Sequence, residues 1–557
     1  MTAVAEPLDT VEELRRPWTR RLLDRVAPIR PAEQPPRPTT RTTPWEVRAL
    51  AVVALVAYGF VGWYLRHVLH FAVGDALART ANAKYMLFAR DAHFAALGFV
   101  WMPIPTVSQL PFVLLLEPFG LAADAGWVTT ACWGAGTVLV LGRLTRDLGL
   151  RRPLGLLLVL TYAFNPVVVY YSANGMSEGP LFFFLALTFL GVFRYLREAD
   201  SAALITTAVG LTGCALDRYE AIPLIGLVGG VLLLADLRRK GRHSALVATA
   251  LATLPGVVSV AVWFGYMRVI KGSFRAFITD ASGNYTAGPP QTAPTEYVLY
   301  KDVAHGLDWL EYTAHWCVAF APALVLLPLL LVPPLRRTAG GLALLLVAVW
   351  LPAVTAYLLR FGGSAGDPRY FTSVVVTTTL GLIYLCSRVN RTWLQAAVVP
   401  VAVVALGLGW VTSARAQVDR ESTGQEGEWR VFDVLHGRVD TRDTRGIVAS
   451  ERLAHDVDAL LHPGDRVMLD VRFSFEVELF SRKPQQFIIN NDEDYEQVRA
   501  DPYLPGRRID YLVFPVGDGR GAGFDYAGEV YQSAPSEWEQ VTVPTSLPIV
   551  VFHRVRT

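Results

Sequence analysis

Charge is scarce in this 557-residue chain: Asp, Glu, Lys and Arg together make up 18% of it, against about a quarter in an average soluble domain. With 52% hydrophobic residues and a mean hydropathy of +0.33, that scarcity argues against a soluble globular protein. A charge excess of either sign is also missing. The net charge is +2, so no global field draws the chain to nucleic acid, and its arginines have to be read loop by loop. Cysteine is rare, and Cys132, Cys214, Cys317 and Cys386 all fall inside apolar runs with no CxxC or CxxH spacing. They read as small buried residues, which disfavours disulfides and a zinc site alike. Two further motifs are incomplete. The GDGRGAG stretch from Gly517 lacks the Lys-Ser/Thr of a P-loop and reads as a flexible loop. Asn490 to Asp494 (NNDED) lacks the spacing of a calcium loop and reads as a helix start.

What the chain has in quantity is uncharged runs of roughly 15 to 25 residues, the length that spans ~30 Å of hydrocarbon. They lie between Ala49 and Arg415. The expected fold class is a polytopic α-helical membrane protein of about 11 spans with a C-terminal α/β domain. The spans are placed near 49–65, 124–142, 154–171, 179–195, 201–216, 221–235, 245–267, 312–333, 339–359, 371–387 and 393–413. Residues 1–44, basic and then rich in Pro and Thr without a signal-peptide core, read as a disordered cytoplasmic tail. The transmembrane module is drawn at 45–414 and the C-terminal domain at 415–557.

Orientation follows from where Lys and Arg collect. Alternate short loops carry Arg143, Arg146, Arg151, Arg152, Arg194, Arg197, Arg238, Arg239, Lys240, Arg242, Arg336, Arg337, Arg388 and Arg391. The short loops of the other parity carry only Arg218, Arg360 and Arg369. The bias predicts a multi-pass plasma-membrane protein with a cytoplasmic N-terminus and an extracytoplasmic C-terminal domain. Residues 92–116 would upset that parity if they crossed, and Pro103, Pro105, Gln109 and Pro111 break the run. A re-entrant or interfacial segment is expected there.

Two loops on the outer side are long, 67–111 and 271–311, and long ordered loops usually carry function. The first is rich in Ala and Leu, with Tyr85, Met86, Phe88, Phe94, Phe99 and Trp101, which predicts amphipathic helices at the interface. Beyond Ser413 charges become frequent. Helices near 453–461, 475–481 and 493–499 then alternate with strands at 466–471, 485–490 and 511–516, and hairpin-like strands follow at 541–543 and 549–553.

The candidate site residues sort onto the outer ends of the spans. They are Asp75, Arg79, Asp91 and His93 in the first loop, Glu178 in SANGMSEGP, Asp217, Arg218 and Glu220 in LDRYEA, and Asp367 and Arg369 in GDPRY. Carboxylates and arginines converging there suit an anionic lipid head and a polar acceptor, since Arg grips phosphate with a planar fork and a carboxylate can act as a base. Each group also has a plainer role. Asp75 can be a helix N-cap, and His93 beside Asp91 can be a hydrogen-bonded spectator rather than half of a dyad. Arg218 can pair with its acidic neighbours to hold a turn. Asp367 can cap a helix whose Arg369 snorkels to the headgroups.

The pattern resembles the GT-C superfamily of membrane glycosyltransferases, which use polyprenyl-phosphate sugars outside the cytoplasm. The features shared are a first span entering from inside, an acidic residue soon after it in a long outer loop, and interfacial helices in that loop. A second long outer loop after the seventh span and a C-terminal outer domain complete the match over about residues 45 to 415. The Arg-Tyr pair of GDPRY is similar to an element of the bacterial aminoarabinose transferases and protein mannosyltransferases. Many relatives carry Asp-Glu in the first loop where this chain has Asp75-Ala76, so Asp91 stays beside Asp75 as the candidate base.

The resemblance implies an inverting transfer of a hexosyl or pentosyl group from a polyprenyl-phosphate donor to an extracytoplasmic glycan, lipid or protein. Asp75 or Asp91 would be the catalytic base. Arg79, Arg218 and Arg369 would hold the donor phosphate, with His93, Glu178, Asp217, Glu220 and Asp367 lining the pocket. No motif demands a metal or other cofactor, and a divalent cation is left open. Membrane lipids are the remaining expected partner, and nucleic acid is not one. Two other classes compete: a lipid or solute transporter, which calls for polar residues at mid-membrane, and a scaffold or sensor acting through the C-terminal domain.

Overall fold

The computed structural model describes residues 42–275, 307–331, 339–360, 368–388, 392–418, 447–469, 474–503, 506, 508–515, 526–547 and 549–555. The expected N-terminal tail up to residue 41, most of the second long loop, the GDGRGAG stretch and Asp367 lie outside the described residues.

The first helix, α1 (Pro44–Trp63), starts on a capping box. Thr43 Oγ1 accepts from Glu46 N at 3.2 Å while a Glu46 oxygen accepts from Thr43 N at 2.7 Å, so two of the orphan donors at the helix start are satisfied. There follow α2 (Gly74–Phe88), the short α3 (Pro103–Val107) and α4 (Leu110–Leu116), then α5 (Ala125–Asp147), α6 (Arg152–Ala163), α7 (Pro166–Tyr171), α8 (Glu178–Glu198) and α9 (Ser201–Asp217). The bundle continues through α10 (Leu224–Arg239), α11 (Arg242–Lys271), α12 (Asp308–Phe320), α13 (Ala339–Arg360), α14 (Ser373–Arg388) and α15 (Thr392–Val418). Among the described residues seven helical segments are long and apolar enough to cross a bilayer, and one bent pair would be an eighth. Arg152–Ala163, Ser201–Asp217 and Val399–Arg415 are shorter apolar helices. The chain is a multi-pass membrane protein.

Two runs that read as single spans are interrupted, each at a proline. Residues 154–171 divide into α6 and α7 at Asn165-Pro166, where the Asn165 side chain accepts from Val167 N and restarts the helix. Residues 312–333 divide into α12 and a 3-10 segment, Pro322–Leu331, that turns away by 99°. Ala321 leaves the helical region at φ −144°, ψ 72°, and Pro322 has no N–H with which to continue the ladder. In the tightest part of the bundle, a Cβ on Gly191 of α8 would stand 2.4 Å from Thr207 Oγ1 of α9, and one on Gly210 of α9 would stand 2.4 Å from Thr188 Oγ1. Helices in lipid pack through small residues of this kind.

Residues 92–116 form only short pieces, the 3-10 turn Phe94–Leu97, α3 and α4. None is long enough to cross. Leu114, Leu115 and Phe119 stay 57%, 64% and 75% exposed, a strongly apolar surface for a segment that does not span. The basic loops gather at the end of the bundle away from α2. There Arg194 lies 3.8 Å from Asp147 and 3.5 Å from Asp200, Arg239 donates to Leu196 O at 2.5 Å, and Arg152 pairs with Glu46.

The C-terminal unit comprises α16 (Ile447–Leu460), β1 (Val467–Leu469), α17 (Phe475–Phe480), β2 (Phe487–Ile489), α18 (Tyr495–Ala500), β3 (Tyr511–Pro515), α19 (Tyr526–Ser533), β4 (Trp538–Val541) and β5 (Ile549–Arg554). Its sheet has the order β2-β1-β3-β5-β4. β1 pairs in parallel with β2 and β3, and β5 runs antiparallel to β3 and β4. Alternation along the strands gives the sheet two buried faces. Val467, Leu469, Phe487, Ile489 and Val513 face one core, and Met468, Ile488 and Leu512 face the other. The first of these cores also contains Leu77, Ala81 and Tyr85 of α2, so the C-terminal unit is docked on the first loop of the membrane module.

Candidate active site

α2 begins where the extended Val73 caps it. Asp75 and Arg79 therefore sit in the first turns, one above the other, since residues four apart share a helix face. The Asp75 side chain is not the cap. Its Oδ2 lies 2.9 Å from Arg369 Nη1. Arg79 Nη1 donates to Asp75 O at 3.3 Å and lies 3.4 Å from Met176 Sδ, while the guanidinium stacks over Trp101 at 4.6 Å. Burial pulls Arg79 below the ordinary arginine value, with the negative Asp75 pulling the other way.

Three other places in the chain complete the cluster. Glu178 opens α8, Asp217 closes α9, and Arg218 and Glu220 follow in the turn to α10. Arg369 and Tyr370 stand on the 3-10 turn Pro368–Phe371 that leads into α14. Arg218 binds Glu178 Oε1 through Nη1 at 2.7 Å and Glu220 Oε1 through Nε at 2.6 Å. The Tyr370 ring has two cationic neighbours, with the Arg218 guanidinium carbon 5.0 Å from its centroid and that of Arg369 5.1 Å away. Arg369 Nη2 also donates to the Tyr370 hydroxyl at 3.3 Å.

Exposure ranks these groups. The side chains of Glu178, Arg218 and Arg369 are 1%, 10% and 15% exposed, against 34% for Asp75. Asp75 is the most exposed of these carboxylates, ahead of Glu220 at 23%. Asp217 is buried, and neither of its oxygens has a hydrogen-bond partner among the described residues. The SANGMS loop reaches the first turn of α2 through Gly175, whose φ of +83° strains any other residue and where a Cβ would stand a tight 3.1 Å from Ala76 Cβ.

The structure thus brings together Asp75, Arg79, Glu178, Asp217, Arg218, Glu220 and Arg369. Asp91 and His93 lie elsewhere, at the seam with the C-terminal unit. Asp91 Oδ2 accepts from Glu493 N at 2.7 Å, and His93 Nδ1 lies 2.7 Å from the Asp91 carbonyl oxygen and 3.8 Å from Oδ1. The neighbouring Arg90 binds Asp492 at 2.6 Å and also Asp494. NNDED is therefore a docking element as well as the start of α18. Sequence reasoning passed over Tyr370 as a spacer between two arginines and Trp101 as a platform for Arg79. Trp101 is visible in the sequence only as one aromatic among several in the loop. Among the described residues no group of three or more His, Cys, Asp and Glu side chains is placed to hold a metal ion.

No family model matches the sequence, and no curated protein matches it either. Solved structures do. The chain is similar to ArnT from Cupriavidus metallidurans bound to undecaprenyl phosphate, at 15% identity and a TM-score of 0.55, covering 91% of this chain and 98% of that one. The apo state of the same protein aligns at 14% identity and a TM-score of 0.50 over the same shares. The archaeal oligosaccharyltransferase AglB from Archaeoglobus fulgidus also matches, at 11% identity, a TM-score of 0.42 and coverage of 92% and 75%. Over nearly its whole length the chain has the fold of ArnT.

Proposed function

We propose that this chain is a membrane glycosyltransferase that moves a sugar from a polyprenyl-phosphate donor to a hydroxyl of an extracytoplasmic acceptor. The observation that carries the reading is the Asp75–Arg369 pair, a reachable carboxylate 2.9 Å from a guanidinium. It stands on a fold shared with a protein solved with undecaprenyl phosphate bound. Arg369, Arg218 and Arg79 take the phosphate, and Asp75 takes the proton of the acceptor hydroxyl. The acceptor oxygen bonds to the anomeric carbon as the bond from that carbon to the phosphate oxygen breaks, with inversion. The lipid phosphate leaves with the bonding pair, and its added charge is met by arginines already in place.

Arg369 lies directly on Asp75. A phosphate competing for that guanidinium would release the carboxylate for proton transfer, so the same contact that marks the site favours donor binding before acceptor. The cluster end of the bundle is assigned to the extracytoplasmic side because the basic loops gather at the other end. The test is turnover of polyprenyl-phosphate sugars by the full chain in reconstituted vesicles. Release of polyprenyl phosphate with sugar transfer supports the reading. Failure to consume any such donor in the presence of glycan, lipid and peptide acceptors would overturn it.

A further inference from the structure

The helix that presents Asp75 has a second working face. At about 100° per residue, Asp75 and Arg79 point one way from α2, Leu77, Ala81 and Lys84 point roughly the opposite way, and Tyr85 lies on the flank between. Leu77, Ala81 and Tyr85 share a core with Ile447, Leu453 and Val457 of α16 and with the sheet of the C-terminal unit. Lys84 lies among them and is 1% exposed. Its ammonium donates to Glu478 O at 3.2 Å, Leu479 O at 2.9 Å and Ser481 O at 2.9 Å, and lies 3.3 Å from Glu117 Oε1. Those carbonyls belong to the last turn and cap of α17, where a helix has unsatisfied acceptors and partial negative charge. A buried lysine keeps its charge only with such partners, and here its three protons meet four acceptors.

The receiving end is itself held. Ser481 Oγ donates to Asp458 Oδ1 at 2.6 Å, and Lys483 Nζ donates to Asp458 O and Leu461 O at 2.7 and 2.8 Å. Beyond the end of α2, Arg90 grips Asp492 and Asp494, and Asn491 Nδ2 donates to Ala96 O at 2.7 Å. The helix therefore lies between the candidate site on one side and a braced α/β unit on the other.

We propose that the C-terminal unit is the backing that positions Asp75, and that Lys84 is the positioning residue joining the two. A base is effective only when held in line with the proton it takes, and small displacements cost large factors in rate. The kinetic part rests on the transferase reading above, and the structural part does not.

The experiment compares wild type, Lys84→Met and Lys84→Arg in the full chain in nanodiscs, with two readouts. The first is hydrogen exchange at the amides of Leu77 to Ala81, on the site side of Lys84. Lys84→Met should exchange there about tenfold faster, and Lys84→Arg should recover most of the protection. The second is turnover of a polyprenyl-phosphate sugar. Lys84→Met should lower kcat about tenfold with the donor KM within about twofold, and Lys84→Arg should restore part of kcat. Unchanged exchange at 77–81, or unchanged kcat, would overturn the proposal. If wild type consumes no lipid-linked donor, the transferase reading fails and exchange alone decides this one. If Lys84→Met does not fold, Arg90→Gln carries the same readouts with a milder loss expected in both.

Discussion

Asp75 and Arg369 are 294 residues apart in the chain and meet at 2.9 Å. The contact ties the first loop to the turn before α14. It also separates two roles that the sequence leaves open for Asp75, because the helix cap is Val73 and the Asp75 carboxylate is directed to a cation.

Asp75→Asn is therefore expected to fold, since no cap is lost, and to reduce turnover by ~10²-fold or more, the usual scale for removing a general base. Turnover with thermal stability measured in parallel checks it. Near-normal turnover in a folded variant would remove Asp75 as the base.

Arg369→Lys keeps a charge but loses the planar fork, and Arg369→Ala loses both. The donor concentration dependence should shift moderately for Lys and severely for Ala. A residue serving only to anchor the span would tolerate Lys and leave donor dependence unchanged.

Tyr370 separates Arg218 from Arg369 with its ring. Tyr370→Phe retains the faces and loses one hydrogen bond, so donor affinity should change by no more than about threefold. Tyr370→Ala removes both cation–π contacts, each worth about 0.5–2 kcal/mol, and should weaken donor binding about tenfold or more. Equal effects of the two substitutions in a titration with polyprenyl phosphate would show that the hydroxyl, not the ring, matters.

Glu478 on α17 is fully buried, and neither carboxyl oxygen has a hydrogen-bond partner among the described residues. Burial pushes its carboxyl up to about 8, with Lys84 pulling the other way. A carboxyl raised on folding is still protonated in the folded chain at a pH where the unfolded chain has released its proton. Stability should thus be highest below the unfolded value near 4.5 and decline as pH rises through about 8. By pH 7 the loss amounts to at most about 3 kcal/mol. Glu478→Gln should flatten this pH dependence and raise the apparent Tm at pH 8. Parallel curves for the two proteins would show that Glu478 does not titrate in this way.

The long apolar helices are legible because a bilayer imposes length and apolarity on any helix that crosses it, but the count of eleven is not: among the described residues seven segments qualify, or eight with the bent pair. The strands of the C-terminal unit were legible because their alternation is local. Contacts between distant segments were not. Asp91 and Asp75 look equivalent in the sequence, and it is a segment about 400 residues on, with Glu493 N donating to Asp91 and Asp492 and Asp494 pairing with Arg90, that draws Asp91 to the seam. Nothing in GDALARTANAKYMLF marks Lys84 as buried, yet it is 1% exposed because α17 supplies carbonyls to meet it. α19 has a helical apolar face in Ala527, Val530 and Tyr531, but its eight residues are too few for that period to stand out from the strands around it.

Lys84 waits 397 residues for Ser481. At ~5–20 residues per second of synthesis, that interval is roughly 20 to 80 s. Throughout it the apolar stripe of Leu77, Ala81 and Tyr85 has no permanent cover, and a chain that stops before residue 447 never acquires one. Such a chain would hold its membrane helices and still present a greasy helix and a lysine left with Glu117 but without the carbonyls of α17, the kind of surface that chaperones and quality-control proteases engage. Completion of the polypeptide is thus a condition for a finished first loop, and abortive products carry their own mark for removal.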